Sequence, residues 1–199
     1  MNKKKTTSAG LRQLLSAIAI TALLSALLSP LSVAQEFVWA ADFPVGSTIP
    51  DIGSLDQSGS SRNFENLKGE KGLVFLLSRS FSWWPYCKAQ LVQLTDYSEQ
   101  LETLGFGVAT LTYDDVALLK TVEEDQGIDF PLLHDEAVRV VDALGIRNLD
   151  YEPGHRAYGI PYPGILLIDS EGVIRAKFAE EDYRDRPAFD AVIEAAQAL

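Results

Sequence analysis

Apolar runs alternate with segments of helical periodicity along most of this 199-residue chain. Residues 73–77 are all apolar, which is typical of a strand buried on both faces. Residues 108–112 form a second apolar and β-branched run, which predicts another buried strand. Between them a helix is expected to begin at Pro85, since proline is well tolerated at the first helical position. Apolar residues then recur at helical spacing: Cys87, Leu91, Leu94, Leu101 and Leu104.

Turn and capping residues define the other elements. We predict a hairpin at 52–64, a helix capped by Asp114 or Asp115 and ending at Gln126, a short strand at 130–135, a helix at 136–144, a loop at 148–159, a hairpin with strands at 165–169 and 173–178, and a final helix at 187–199. This order predicts an α/β fold. Its central mixed β-sheet is flanked by helices on both faces, and the first hairpin is an N-terminal extension.

The first 34 residues have the pattern of a secretory signal peptide. A basic start at residues 3–5 precedes an apolar run at 14–31, and Ala34 ends a small-residue site for cleavage before Gln35. We therefore predict a signal peptide at 1–34, a single domain at 35–199, and export to the periplasm or the cell exterior. The alternative is an uncleaved membrane anchor, because the apolar run is nearly long enough to span a bilayer.

The charge balance narrows the class of partner. The formal net charge of the whole chain is −11. Residues 1–34 contain four basic and no acidic side chains, so the rest of the chain carries −15. A strongly acidic surface repels phosphate backbones and anionic lipid, which argues against nucleic acid and peripheral membrane binding. Membrane association is expected only if the N-terminal segment stays uncleaved.

Cys87 is the only cysteine in the sequence, and it falls in the first turn of the helix that begins at Pro85. The positive end of the helix dipole and the unpaired N–H groups there favour thiolate over thiol. One cysteine cannot form an internal disulfide. The thiol is therefore reactive, paired with another molecule, or an inert, buried, small hydrophobe.

Three segments resemble the alkyl hydroperoxide reductase C / thiol-specific antioxidant (AhpC/TSA) group of peroxiredoxin-like redoxins, which have a thioredoxin-like fold. They are Arg79-Ser80, residues 83–91 and residues 159–169. The resemblance implies that Cys87 is catalytic and that an arginine stabilises its thiolate, for which Arg79 and Arg156 are the candidates. It also implies the active-site neighbours: Trp84, Pro85, Tyr86, Tyr162 and Pro163. No metal or organic cofactor is expected.

Two positions depart from the family pattern. Trp84 stands where close relatives have the first cysteine of a C-x-x-C motif, and where peroxiredoxins have a threonine or serine. Pro163 stands where many peroxiredoxins have an arginine that holds the thiolate and the peroxide. In thioredoxins a cis-proline begins the corresponding strand. The two-cysteine exchange cycle is therefore closed to this chain, and any arginine at the thiol must come from elsewhere.

Two functions fit these features. One is an exported antioxidant oxidoreductase, a one-cysteine peroxidase that takes a peroxide as substrate and an external thiol as reductant. The other is a degenerate thioredoxin-like domain that binds a protein or peptide in a groove beside Trp84, Tyr86 and Tyr162. A third interpretation is that Cys87 links two chains.

The other polar and aromatic candidates are given structural roles. We interpret His134 as a solvated or capping residue, His155 as part of an ordinary loop, and Trp83 as a packing residue. Asp114-Asp115 and Glu123-Glu124-Asp125 are interpreted as a helix cap and a solvated helix face, and not as a paired-carboxylate site.

Overall fold

The computed structural model describes residues 37–199. The predicted signal peptide and its cleavage site lie outside these residues. Within them, none of the helices combines the length and the apolar character needed to cross a membrane.

The described residues form a seven-stranded mixed sheet in the order β2-β1-β5-β4-β3-β6-β7. The strands are β1 (Ser54–Asp56), β2 (Ser61–Arg62), β3 (Gly72–Leu77), β4 (Phe106–Thr112), β5 (Leu132–His134), β6 (Gly164–Asp169) and β7 (Ile174–Ala179). Strand β3 pairs in parallel with β4 and antiparallel with β6, and all six of its residues are buried. The predicted central strand and both predicted hairpins are thereby confirmed.

Helices cover both faces of the sheet, as the element order predicts. They are α1 (Phe64–Leu67), α2 (Pro85–Thr103), α3 (Val116–Gln126), α4 (Arg139–Ala143) and α5 (Phe189–Gln197). Alternate side chains of β3 enter two cores, because successive residues of a strand point to opposite faces. Val74 and Leu76 face a core closed by α2, α3 and α5, whereas Leu73 and Phe75 face a core closed by α1 and α4.

The predicted helix at 136–144 is not continuous, which corrects the sequence prediction. A single 3-10 turn, Glu136–Val138, precedes α4, and the backbone of Ala137 and Val138 is left-handed, with φ of 54° and 61°. The carboxylate of Asp135 accepts hydrogen bonds from the N–H groups of Val140 and Val141 at 2.9 and 3.0 Å. The helix therefore starts anew after the turn, because this carboxylate caps its first N–H groups. The short helix α1 was not predicted.

The connections that build the site meet at one end of the sheet. In the register of the central strands, Leu77 at the end of β3 lies beside Leu111 of β4 and beside Gly164, the first residue of β6, which in turn pairs with Ala179 at the end of β7. The segments 78–84, 113–115, 148–163 and 180–188 consequently leave or enter the sheet at this end. Helix α2, which carries Cys87, begins there.

Candidate active site

Cys87 occupies the third position of α2 and is fully buried. Trp84 is the N-cap residue and Pro85 the first helical residue, as the sequence predicts. The N–H of Cys87 donates to the carbonyl of Trp84 at 3.1 Å. Its Sγ accepts a hydrogen bond from the backbone N–H of Arg79 at 3.4 Å, and Nη2 of Arg186 donates to it at 3.6 Å. Donors of this kind stabilise the negative charge of a thiolate.

Arg79 is completely buried beside the thiol. Its guanidinium lies between two rings, 4.7 Å from the centroid of Trp84 and 4.0 Å from that of Tyr183. None of its three guanidinium nitrogens has a hydrogen-bond partner within residues 37–199. Burial lowers the pKa of this group, and the nearby Cys87 opposes that shift. Arginine nevertheless keeps its proton in proteins, so Arg79 is a buried cation stacked on aromatic rings.

Arg186 reaches the thiol from the connection between β7 and α5. Its Nη1 donates to the carbonyls of Tyr183 and Asp185, which fixes the side chain, and Nη2 points to Sγ. Segment 180–188 thus places Tyr183 over Arg79 and Arg186 against Cys87. Sequence reasoning missed both residues, because they lie about a hundred positions after the cysteine and outside the family motifs.

Asp114 anchors the turn that leads into α2. Its carboxylate accepts hydrogen bonds from the Ser80 hydroxyl at 2.7 Å and from the N–H of Phe81 at 2.6 Å. Burial raises the pKa of Asp114, and these two hydrogen bonds oppose the rise. Of the two predicted helix caps, Asp114 is therefore not the cap, and its side chain is buried rather than solvated. Asp115 is the helix cap, since its carboxylate accepts from the N–H of Leu118 at 2.8 Å.

The aromatic neighbours predicted before the thiol form a layer beside it. Trp84 is half-buried and packs edge-on against both Trp83, at 4.8 Å, and Tyr183, at 5.4 Å between ring centroids. Trp83 donates from Nε1 to the Tyr113 hydroxyl at 2.9 Å.

The guanidinium of Arg156 lies over Trp83 at 4.2 Å. The polar contacts that residues 37–199 make to Sγ come from Arg79 and Arg186, so Arg156 is not brought to the thiol. Pro85 and Tyr86 are exposed.

The second family segment lies at the start of β6. The Tyr162 carbonyl accepts a hydrogen bond from Nε1 of Trp39 at 2.8 Å, and its ring packs edge-on against Phe37. Pro163 is buried and immediately precedes the strand. The peptide bonds within residues 37–199 are all trans, so a cis-proline, which the resemblance to thioredoxins implies, is not observed. Tyr162 and Tyr183 line one open cleft together with Asp150, Glu181 and Asp182.

The two histidines make local contacts. The Nδ1 atom of His134 lies 2.9 Å from the Asp114 carbonyl oxygen. His155 stacks on Tyr151 with ring centroids 4.9 Å apart, and its Nδ1 accepts from the N–H of Ala157.

Comparison with known proteins decides the family. The model of the AhpC/TSA family matches residues 45–177, about two thirds of the chain. The chain belongs to the AhpC/TSA family. It is 27% identical over 153 residues to Peroxiredoxin Bcp of Escherichia coli strain K12, an alignment that covers 74% of this chain and 92% of that protein. The predicted resemblance to peroxiredoxin-like redoxins is therefore confirmed.

Solved structures of a peroxidoxin and of a thiol peroxidase share the fold. The peroxidoxin BcpB from Mycobacterium tuberculosis superimposes with a TM-score of 0.67 at 19% identity, covering 79% of this chain and 98% of that one. A thiol peroxidase from Chromobacterium violaceum gives a TM-score of 0.66 at 18% identity, covering 81% and 90%. The predicted thioredoxin-like fold is confirmed. The relatives also support the prediction that this AhpC/TSA chain is a peroxiredoxin-type oxidoreductase.

Proposed function

We propose that this AhpC/TSA protein is a one-cysteine, thiol-dependent peroxidase that acts through Cys87. The observation that carries the proposal is the pair of donors on Sγ, the Arg79 N–H at 3.4 Å and the Arg186 guanidinium at 3.6 Å, at the N-terminus of α2. Hydrogen-bond donors of this kind stabilise the charge of a thiolate, and a thiolate is the nucleophile in thiol chemistry. Arg186 supplies the side-chain cation that the sequence lacks at position 163.

The first step is a two-electron oxidation of sulfur. The Cys87 thiolate attacks the terminal oxygen of the peroxide, forming an S–O bond as the O–O bond breaks. The electron pair of the O–O bond leaves with the second oxygen as an alkoxide or hydroxide, which takes up a proton. Cys87 becomes a sulfenic acid, and the peroxide is reduced to an alcohol or water.

The second half of the cycle needs a thiol from outside the chain, because the sequence contains no other cysteine. An external thiol condenses with the sulfenic acid, forming a mixed disulfide and releasing water. A second external thiol then attacks the mixed disulfide. The two external thiols leave joined as a disulfide, and Cys87 returns to its reduced state.

Access to the thiol requires segment 180–188 to move, because Cys87 is fully buried and Arg186 of this segment contacts its Sγ. Tyr183 of the same segment stacks on Arg79 and also lines the cleft, so displacement of its ring opens a route from the cleft towards the pocket.

We further propose export of the protein, which is supported by the basic, apolar and small-residue pattern of residues 1–34. An N-terminus at Gln35 on the exported protein is the expected result of sequencing.

Intact-mass measurement tests the peroxidase. The purified protein is treated briefly with near-stoichiometric hydrogen peroxide and a sulfenic-acid trap, with Cys87→Ser as control. We expect one trapped adduct per chain in the native protein and none in the control. If Cys87 oxidises no faster than an ordinary free thiol under these conditions, the proposed peroxidase function is wrong.

A further inference from the structure

The pocket around Cys87 contains more positive charge than one thiolate can balance. Arg79 is completely buried, and Arg186 is half-buried with Nη2 on the thiol. Neither guanidinium takes part in an ion pair within residues 37–199. Arg79 interacts electrostatically with Cys87, with the phenols of Tyr151 and Tyr183, and with Arg186, which repels it. With Cys87 as the thiolate that the proposed reaction requires, the two cations leave one positive charge. The partly exposed Asp182 also interacts electrostatically with Arg186, but its ion pair is with Arg184. The buried guanidinium of Arg79 therefore has no ion-pair partner within residues 37–199, whereas buried charges are ordinarily paired.

The unpaired polar atoms of this pocket are mainly donors. Five buried nitrogens have no acceptor within the described chain: the three guanidinium nitrogens of Arg79, Nε of Arg186 and Nε1 of Trp84. The stacking of Arg79 on Trp84 and Tyr183, and the bonds from Arg186 to the Tyr183 carbonyl and Sγ, hold these groups around one thiol. Guanidinium and indole groups offer N–H donors and no acceptor, which is the complement of an oxyanion.

We propose that the pocket selects anionic substrates, namely hydroperoxides whose leaving group carries negative charge, and that Arg186 determines this specificity. The inference rests on the peroxidase activity proposed above. In the reaction, the thiolate takes the terminal oxygen as OH, and the O–O electron pair leaves on the anionic fragment. With peroxymonosulfate, for example, RS⁻ and HOOSO₃⁻ give RSOH and SO₄²⁻. The leaving group gains one negative charge, which the two guanidinium groups stabilise.

Two alkylating agents of nearly equal size test the charge of the pocket directly. Iodoacetate is anionic and iodoacetamide is neutral, so the ratio of their rates with Cys87, divided by the same ratio for 2-mercaptoethanol, reports local charge with little effect of access. We expect this normalised ratio to be roughly ten or more. A tenfold increase in rate is at the lower end of the effects that focused charge has on association. The normalised ratio should fall close to unity in Arg186→Gln.

Arg175→Gln is the control for the loss of one positive charge. Arg175 is exposed on β7 and pairs with Asp169 at 2.6 Å, and it lies outside the cleft and makes no contact with the thiol. The normalised ratio should be unchanged in this variant. Circular dichroism and thermal unfolding of each variant show whether the fold is retained.

A second measurement does not depend on thiol reactivity. Sodium formate is titrated against the protein at constant ionic strength, with tryptophan fluorescence as the signal, because Trp84 stacks on Arg79. Saturable binding that weakens in Arg186→Gln supports the anion pocket even if Cys87 proves unreactive. In that case only the proposed peroxidase function is wrong. A normalised ratio near unity in the native protein, with no saturable formate binding, overturns the anion inference. Trapping of the sulfenic acid would then still support the peroxidase.

Discussion

At the residue scale, Trp84 occupies a position from which a cysteine would form a disulfide with Cys87. The Trp84 carbonyl accepts the N–H of Cys87, so the two residues share one tight turn at the start of α2. C-x-x-C pairs at helix starts form disulfides in this arrangement. We predict that Trp84→Cys converts the peroxide product from a trapped sulfenic acid to an internal disulfide. Intact mass after peroxide should be lower by about 2 Da, the two hydrogens lost on disulfide formation.

Trp84→Ser is the control for the lost ring. It removes the same stacking on Arg79 and Tyr183 but provides no thiol, so it should still give the sulfenic-acid adduct. If Trp84→Cys also gives only that adduct, the turn does not bring the two side chains within bonding distance.

At the scale of elements, Asp114 links the end of β4 to the turn before α2 and should leave a signature in the pH dependence of stability. Burial raises its pKa above the ordinary value of 3.8. Between that value and the folded pKa, the folded chain holds a proton that the unfolded chain has lost. The free energy of unfolding therefore falls as pH rises through this interval.

Asp114→Asn cannot titrate, so it isolates this contribution. We expect the free energy of unfolding of the native protein, minus that of the variant, to decrease as pH rises above 3.8 and then to level off. Urea titrations of both proteins from about pH 4 to about pH 7 measure it. A difference that grows with pH would mean that the hydrogen bonds from Ser80 and Phe81 outweigh burial.

The turn before α4 gives a second prediction for an element. Ala137 is exposed and has a left-handed backbone, which L-residues other than glycine adopt at a cost. Ala137→Gly should therefore raise the free energy of unfolding by roughly 0.5–1 kcal/mol. Ala117→Gly, at an exposed position in α3, should instead lower it by up to about 1 kcal/mol. Chemical denaturation compares the two, and a loss of stability in Ala137→Gly would contradict the left-handed assignment.

Sequence pattern predicts elements here because each obeys a local rule. The apolar run of β3, Pro85 at the start of α2 and Gly127 at the end of α3 all lie where their local chemistry requires. The break at Ala137 could not be predicted from local rules, because it depends on Asp135 capping a helix that begins four residues later. The contact of Arg186 with Cys87 could not be predicted from any local pattern. The two residues are 99 positions apart, and only the packing of α5 and β7 beside α2 brings them together.

At the scale of the whole molecule, overall charge and local charge act on an anionic substrate in opposite directions. The chain carries a formal charge of −11, and the cleft beside Tyr183 is lined by three acidic residues, Asp150, Glu181 and Asp182, against one basic residue, Arg184. Both repel an approaching anion. The Arg186–Sγ contact acts at 3.6 Å, far inside a Debye length of about 8 Å at 0.15 M salt. Salt therefore screens the repulsion more than it screens the pocket.

We predict that the ratio of iodoacetate to iodoacetamide rates rises as ionic strength increases from about 0.01 M to about 0.15 M, over which the Debye length falls from about 30 Å to about 8 Å. Sodium gluconate is the salt, because its anion is too bulky to compete within the buried pocket. Arg186→Gln should show the same rise from a lower starting value, since it retains the acidic surface. A ratio that falls with salt would mean that exposed cations, rather than the buried arginines, draw the anion to Cys87.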